Sequence, residues 1–253
     1  MQFFKSSYGY KLIEYEIPSN WTNQRLGEIT EIIVPMRDKP KQFDGNIPWI
    51  RIEDFEGKFV FGSKSGRKVS ERTIKEMNLK PYPIGTVLCS CSGNMGICAI
   101  TKSIMVSNQT FAGLIPKEEI NSDYLYYLLS NFKDRLQRMA SGTTILYLSR
   151  EKFENLVIPV PLLKEQQKIV FILSNVDEVI QKTKQIIEQS QRLKKGLMQR
   201  LMTKGIGHTK FKDSEIGKIP YEWHISSIGQ EFIVGSGGTP SRSNSSYFNG
   251  NVP

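Results

Sequence analysis

Apolar positions fall into two regimes along this chain, and the period changes near residue 160. Before that point, "NIPWIRI", "GTVLCSCS", "GICAIT" and "TFAGLIP" are short apolar or β-branched runs bounded by Gly, Pro and Asn, which predicts strands. "SERTIKEMN" opens on a Ser70 cap and continues with helix formers, a short helix. In "NSDYLYYLLSNFKDRLQRM", Leu125, Leu128, Leu129, Phe132, Leu136 and Met139 recur at helical steps, which predicts one helix whose apolar stripe packs on the strands. "SGTTILYLSREKFENLVIPVP" then predicts a glycine turn, a strand, one helical turn after Ser149 and an extended exit through Pro159 and Pro161.

From Lys164 to about Thr203 the spacing becomes heptad. Ile169, Ile172, Val176, Val179, Thr183, Ile186, Ser190, Leu193 and Leu197 alternate steps of three and four, the pattern of a coiled-coil seam. Roughly forty residues at 1.5 Å each make a rod of about 60 Å. Thr183 and Ser190 place polar groups in the seam, which sets register or partner choice at a cost in stability. A single helix cannot satisfy such a seam, so a second helix is expected from the same chain or from another.

A long-range repeat gives the organisation. Ile17-Pro18, Trp21 and Leu26-Gly27 reappear as Ile219-Pro220, Trp223 and Ile228-Gly229, all 202 positions later. After a loop longer by three residues, "FDGNIP" (Phe43 to Pro48) meets "FNGNVP" (Phe248 to Pro253). A period this long exceeds the roughly 20 to 50 residues of solenoid repeats. It indicates a duplicated domain with a shortened second copy: residues 1–160 as one domain, 161–203 as a long helix, 204–218 as a linker and 219–253 as the start of a second domain. The predicted class is α+β, a mixed α/β domain of short strands followed by a long coiled-coil helix.

Composition narrows the function. A hydrophobic share of 39% supports a packed domain. The net charge of +9 suits a polyanionic partner, of which nucleic acid is the commonest. Cys89, Cys91 and Cys98 are too few for a tetrahedral zinc site, with His208 and His224 far along the chain, and no metal is expected. Cys89 and Cys91 alternate as along one strand face. The amino terminus lacks the apolar run of a signal peptide and no stretch approaches the ~20 apolar residues of a membrane span, so the expectation is a cytoplasmic protein with reduced thiols and no membrane partner.

Catalytic motifs are sparse. "GSGG" at Gly235 to Gly238 follows no clear strand and opens no helix, and no Asn-Pro-Pro-Tyr or Asp-Pro-Pro-Tyr tetrad for methylating a flipped base is found. Asp54, Glu56 and Lys58 have the residue types of a metal-dependent nuclease at a spacing common in charged loops. The chain reads as a binder. Its candidate DNA contacts are basic residues on turns, Arg37, Lys39, Lys41, Lys64, Arg67, Lys68, Arg72 and Lys75, joined by Arg51, Ser92, Asn94, Gln109, Thr143 and Thr144. Arginine can read guanine, Asn and Gln can read adenine, and lysines mostly hold phosphates.

Five ordered segments carry a resemblance: "GTVLCSCSGNMGICAI", "VSNQTFAGLIP", "NSDYLYYLLS", "LSREKFENLVIPVPLLKEQQKIV" and "EIGKIPYEWHISSIG". Together they resemble the specificity subunit of type I restriction-modification systems. That resemblance implies two target recognition domains, each followed by a long helix, with the helices packed antiparallel and each domain reading half of a bipartite double-stranded DNA site. It implies a non-catalytic subunit that docks modification subunits, which methylate adenine, and through them a restriction subunit. S-adenosylmethionine, ATP and Mg would belong to those partners, and this chain would hold no cofactor. Where the family commonly has "SRSG", this chain has Ser90-Cys91-Ser92-Gly93, so an arginine contact does not carry over to Cys91. With one long helix per chain, two copies can pair antiparallel about a two-fold axis and face a palindromic site. The alternative is a coiled-coil assembly modulator without sequence-specific DNA binding.

Overall fold

The computed structural model describes residues 17–35, 39–142, 146–241, 243, 244 and 247. In chain order the elements are β1 (Thr22–Arg25), α1 (Leu26–Ile29), β2 (Thr30–Ile33), β3 (Ile47–Ile50), β4 (Phe59–Val60), β5 (Lys68–Val69) and α2 (Glu71–Glu76). There follow β6 (Val87–Ser90), β7 (Cys98–Thr101), β8 (Val106–Ser107), β9 (Phe111–Pro116), α3 (Ser122–Asn131), α4 (Lys133–Met139), α5 (Arg150–Glu154) and β10 (Val157–Val160). Last come α6 (Leu163–Lys204), β11 (Phe211–Lys212), β12 (Ile219–Pro220) and α7 (Ile228–Glu231). Short strands ahead of a long helix are the α+β arrangement expected. The chain divides into two compact units, Met1–Val179 and Ile180–Pro253.

The first unit is built on a five-stranded sheet ordered β2-β9-β6-β7-β4, antiparallel except where β4 runs parallel to β7. β6 and β7 are buried along their whole length, which explains why they read as continuous apolar runs rather than alternating ones. The period of two still sorts their side chains. Val87, Cys89, Cys98 and Ile100 join Leu125, Leu129, Leu136 and Phe153 of the helices in the main core, whereas Leu88 and Ala99 join Ile50, Tyr82 and Met105 in a second cluster. Cys89 and Cys91 share the main core, and all three thiols are free and buried. Tyr82 lies across β9: a Cβ at Gly113 would sit 2.3 Å from its ring, so this position needs glycine. A smaller sheet, β5-β3-β8, pairs β3 antiparallel with β5 and parallel with β8.

Local chemistry sets the helix boundaries. Ser70 and Ser149 accept the Thr73 and Lys152 N–H groups, and Asn121 accepts two, from Asp123 and Tyr124. The helix expected over 121–139 is two. At Phe132 the backbone reaches φ −90° and ψ 11°, and its N–H bonds to Leu129 three residues back, so the turn tightens and α4 starts as a separate helix. The strand expected after Ser141 is reduced to single bridges from Tyr147 to Ser92 and Ser141, with 143–145 outside the described residues. β1 and β10 close the domain by pairing its first and last strands, Thr22 opposite Val160 and Arg25 opposite Val157. Such a two-stranded pair tolerates Pro159, which a central strand would not.

α6 is anchored to this unit by its first turns. Gln166 is wholly buried, and Ile169 and Val170 pack against the main core. Ile169, the first seam residue, is therefore used by its own domain. From Ile172 onward the apolar seam is exposed, with Ile172 at 61%, Val179 at 63% and Leu193 at 64%.

In the second unit the helix stops at Gly205, whose φ of +64° suits glycine and whose added Cβ would meet the His208 ring at 2.6 Å. The rings of His208 and Trp223 meet edge-on at 6.1 Å, and β11 pairs antiparallel with β12. The repeat is reproduced in the backbone. Trp21 N–H bonds to Pro18 O at 3.0 Å and Trp223 N–H to Pro220 O at 3.0 Å, and α7 repeats α1 with nearly the same cap dihedrals. Their environments differ: Leu26 is fully buried, whereas its counterpart Ile228 is 72% exposed. Among the described residues, no helix is long and apolar enough to cross a membrane.

Candidate nucleic-acid interface

β3 and β8 run parallel, with Trp49 opposite Val106 and Ile50 opposite Ser107, so Arg51 and Asn108 leave the sheet side by side. Carboxyl ends of adjacent parallel strands are a common place for binding loops. The loop after Arg51 is held by Asp54, a buried carboxylate that accepts the backbone N–H of Arg51 at 2.7 Å and of Lys64 at 2.8 Å. Lys64 then pairs with Glu56 at 2.6 Å. Asp54, Glu56 and Lys58 form no common site: the first holds backbone, the second holds Lys64, and Lys58 pairs with Asp123 at 2.7 Å. Among the described residues no group of three potential ligands is placed to hold a metal ion.

The turn between β6 and β7 adjoins these loops. Ser90 Oγ accepts the Ile97 N–H at 3.0 Å and donates to the Asn94 carbonyl, and Gly93 and Gly96 take positive φ values of 67° and 76° that let the chain reverse. Cys91 N–H bonds to Thr110 O at 2.8 Å on one side, and Leu148 N–H to Cys91 O at 2.9 Å on the other. Ser92 and Asn94 on the turn, Gln109 beside Thr110, and Arg51 beyond β3 are thereby carried by neighbouring connections. Gln109 Oε1 is buried with no hydrogen-bond partner, and Arg51 Nε, also without a hydrogen bond, lies 3.7 Å from Glu53 Oε2 in an ion pair.

The remaining candidates divide. Lys39 and Lys41 are exposed in the connection to β3, which is pressed against β5 where Gly45 N–H meets Lys68 O at 3.3 Å. Arg67 covers the Phe43 ring at 5.3 Å, and Phe43 meets Trp49 edge-on. Lys68 lies opposite Pro48 near the start of β3, away from Arg51. Arg72 is held by Glu76 at 2.7 Å on α2, which also carries the exposed Lys75. Arg37, Thr143 and Thr144 lie outside the described residues.

Two cations were missed by the sequence reading. Lys133 starts α4 against the β6–β7 turn, where a Cβ on Gly96 would lie 2.9 Å from its Cα. Lys152 donates to Met139 O and Ser141 Oγ, each at 2.5 Å. Both come close only through tertiary packing, so neither spacing nor charge runs signal them. Arg135 is a cation with a structural task. It donates to Val157 O at 3.1 Å, and burial, with Arg138 nearby, lowers its pKa to about 10, still charged at neutral pH.

The fold has counterparts among solved structures. A crystal structure of the HsdS subunit from Thermoanaerobacter tengcongensis aligns with a TM-score of 0.56 and 20% identity, covering 74% of this chain and 46% of that one. Residues 18–191 match the family described as type I restriction modification DNA specificity domain, and the chain belongs to that family. Two relatives from Methanocaldococcus jannaschii are similar over most of this chain. The type I restriction enzyme MjaIX specificity subunit is 28% identical, covering 94% of this chain and 57% of the relative. The putative MjaX specificity subunit is 31% identical, covering 91% and 57%. The chain thus spans about half the length of the relatives it matches.

Proposed function

We propose that this chain is a non-catalytic DNA-recognition subunit: the first unit reads one half of a bipartite double-stranded site, and α6 holds it at a set distance from the other half. The observation that carries this reading is the combination, in one chain of the family, of a strand scaffold gathering Arg51, Ser92, Asn94 and Gln109 with a 42-residue helix. The exposed seam supports pairing with a second helix, and a second copy in antiparallel orientation supplies one by two-fold symmetry. Next to that seam, Leu173, Ile180, Ile187 and Leu201 make a further apolar stripe, at 37 to 50% exposure. A three-position stripe exceeds what one partner helix covers. It supports docking of modification subunits on the same helix, with the restriction subunit joining through the complex. S-adenosylmethionine, ATP and Mg would be bound by those subunits, and the site of action would be the cytoplasm.

The test is to express the chain with its cognate modification subunit in a host lacking adenine methylation and to map methylated adenines. A palindromic bipartite motif with a fixed gap is expected. Absence of any new motif would favour the assembly modulator, which binds partners without reading sequence.

A further inference from the structure

The start of α6 touches its own domain over its first two turns, where Ile169 and Val170 pack on the main core, and again further along. Near its beginning Gln166 is buried, with Oε1 accepting the Asn121 N–H at 2.8 Å and Nε2 donating to Glu119 O and Pro161 O at 2.9 Å each. Glu165 adds the Trp21 Nε1 donor at 3.1 Å. Three turns later, Asp177 Oδ2 accepts the hydroxyl of Tyr127 on α3 at 2.7 Å. Tyr127 is itself fixed from behind. Lys58 lies 4.5 Å from its ring centre, 3.4 Å from its hydroxyl oxygen and 2.7 Å from Asp123. Lys58 belongs to the segment that runs from Arg51 to β4, so the contact joins a candidate reading loop, α3 and α6.

A rod held only at its root can swing, and a further contact fixes its direction. Asp177 lies 7 residues beyond Val170, about 10 Å along the helix, and the helix runs a further 27 residues, about 40 Å, past it. A slip of 1 Å at Asp177 is therefore magnified to about 5 Å at the end of the helix, more than the roughly 3.4 Å step between base pairs. The outer support includes the hydrogen bond from Tyr127 to Asp177, an exposed acceptor whose carboxylate also faces Tyr126.

We propose that Tyr127 and Asp177 are positioning residues that set the direction in which the helix leaves the recognition domain, and thereby how sharply the complex discriminates the gap between half-sites. The consequence for the gap rests on the reading of α6 as a spacer; the consequence for helix direction does not.

The experiment uses the full chain with two readouts. Spin labels at Lys80→Cys and Lys195→Cys, with doubly labelled chain diluted into unlabelled chain, report the distance from domain to helix; the three native thiols are buried. Tyr127→Phe and Asp177→Ala should each broaden or shift the distance distribution, and the double variant should do no more than either single one. Asp177→Asn, which keeps an acceptor, should restore most of the native distribution. In complex with modification subunits, preference for the native gap over gaps one base pair shorter or longer should fall about tenfold in Tyr127→Phe, while affinity for an isolated half-site is unchanged. An unchanged distance distribution in both single variants overturns the proposal. A changed distribution with no gap preference even in the native chain would instead overturn the spacer reading and leave the joint standing.

Discussion

The side-chain oxygen of Gln166 accepts the backbone N–H of Asn121 at 2.8 Å, joining the first turn of the long helix to the N-cap of α3. Because Gln166 also satisfies the carbonyls of Glu119 and Pro161, one buried side chain closes three backbone groups, with the bond to Pro161 fully buried and the other two partly so. Gln166→Leu keeps the volume and leaves those groups unmet, at about 1–3 kcal/mol for each buried orphan. A loss of about 1–3 kcal/mol is expected, read as a lower urea midpoint. A midpoint within error of the native chain would mean that the groups find other partners.

That contact also shows where sequence reasoning stops. The heptads from Ile172 to Leu197 are legible because exposure leaves them uninterrupted by local packing demands. Strands such as Val87–Ser90 are legible because burial on both faces makes them continuously apolar. Gln166 was invisible, since a glutamine in a helix reads as solvated unless the loops that meet it are known. The break at Phe132 was hidden for a similar reason: Leu125, Leu129 and Leu136 keep helical spacing across it. At the candidate interface, turn residues such as Ser92 and Asn94 follow from glycine placement, but the approach of Lys133 to Gly96 depends on how α4 packs.

Alkaline pH should destabilise the first unit through its thiols. Burial pushes the Cys91 pKa up to about 12 from an ordinary value near 9.0, and Cys89 is raised as well, chiefly by its hydrogen bond with Cys98 and then by burial. The folded state thus keeps a proton that the unfolded state releases. The Cys91 contribution is fully present below about pH 9 and is lost as pH rises towards 12, on the order of 1 to 4 kcal/mol in total. Tyr82 and Tyr124, raised mainly by burial, act in the same direction, but from a higher starting value near 10. Denaturation midpoints from pH 8 to 10 should therefore fall in the native chain and fall less steeply in Cys91→Ala. Parallel slopes would show that this thiol does not titrate differently on unfolding.

Lys133 and Asn94 lie at the same turn and should separate the two kinds of DNA contact. The Lys133 backbone and the start of its side chain lie beside the turn, and a lysine ammonium mostly pairs with phosphate, whose contribution does not depend on sequence. Lys133→Ala in the assembled complex should weaken all duplexes alike and lower the slope of log affinity against log salt by about 1. Asn94→Ala should leave that slope alone and cost about 1–3 kcal/mol on the native site only, relaxing one position. Titrations of matched and mismatched duplexes at several salt concentrations check both. Identical behaviour of the two variants would remove this turn from the interface.

The seam carries the last prediction. Thr183 and Ser190 occupy successive positions of one heptad row that otherwise holds Ile169, Val176 and Leu197. A polar residue in such a row lowers the stability of the assembly and fixes its alignment. If α6 pairs with a second copy through this face, Thr183→Ile and Ser190→Ile should tighten self-association, because each replaces a hydroxyl by buried apolar surface worth about 1 to 3 kcal/mol per copy. Over the two copies of a dimer that corresponds to at least about a thirtyfold lower dissociation constant. Ile172→Asp should do the reverse, since pairing would then bury an unmatched carboxylate. Sedimentation equilibrium of the three variants reads both directions. Stronger association in the isoleucine variants with no effect of Ile172→Asp would place the pairing face only on the distal half of the helix. No change in any of them would mean that the seam is covered by a different protein, leaving the modification subunits as the partner to test on it.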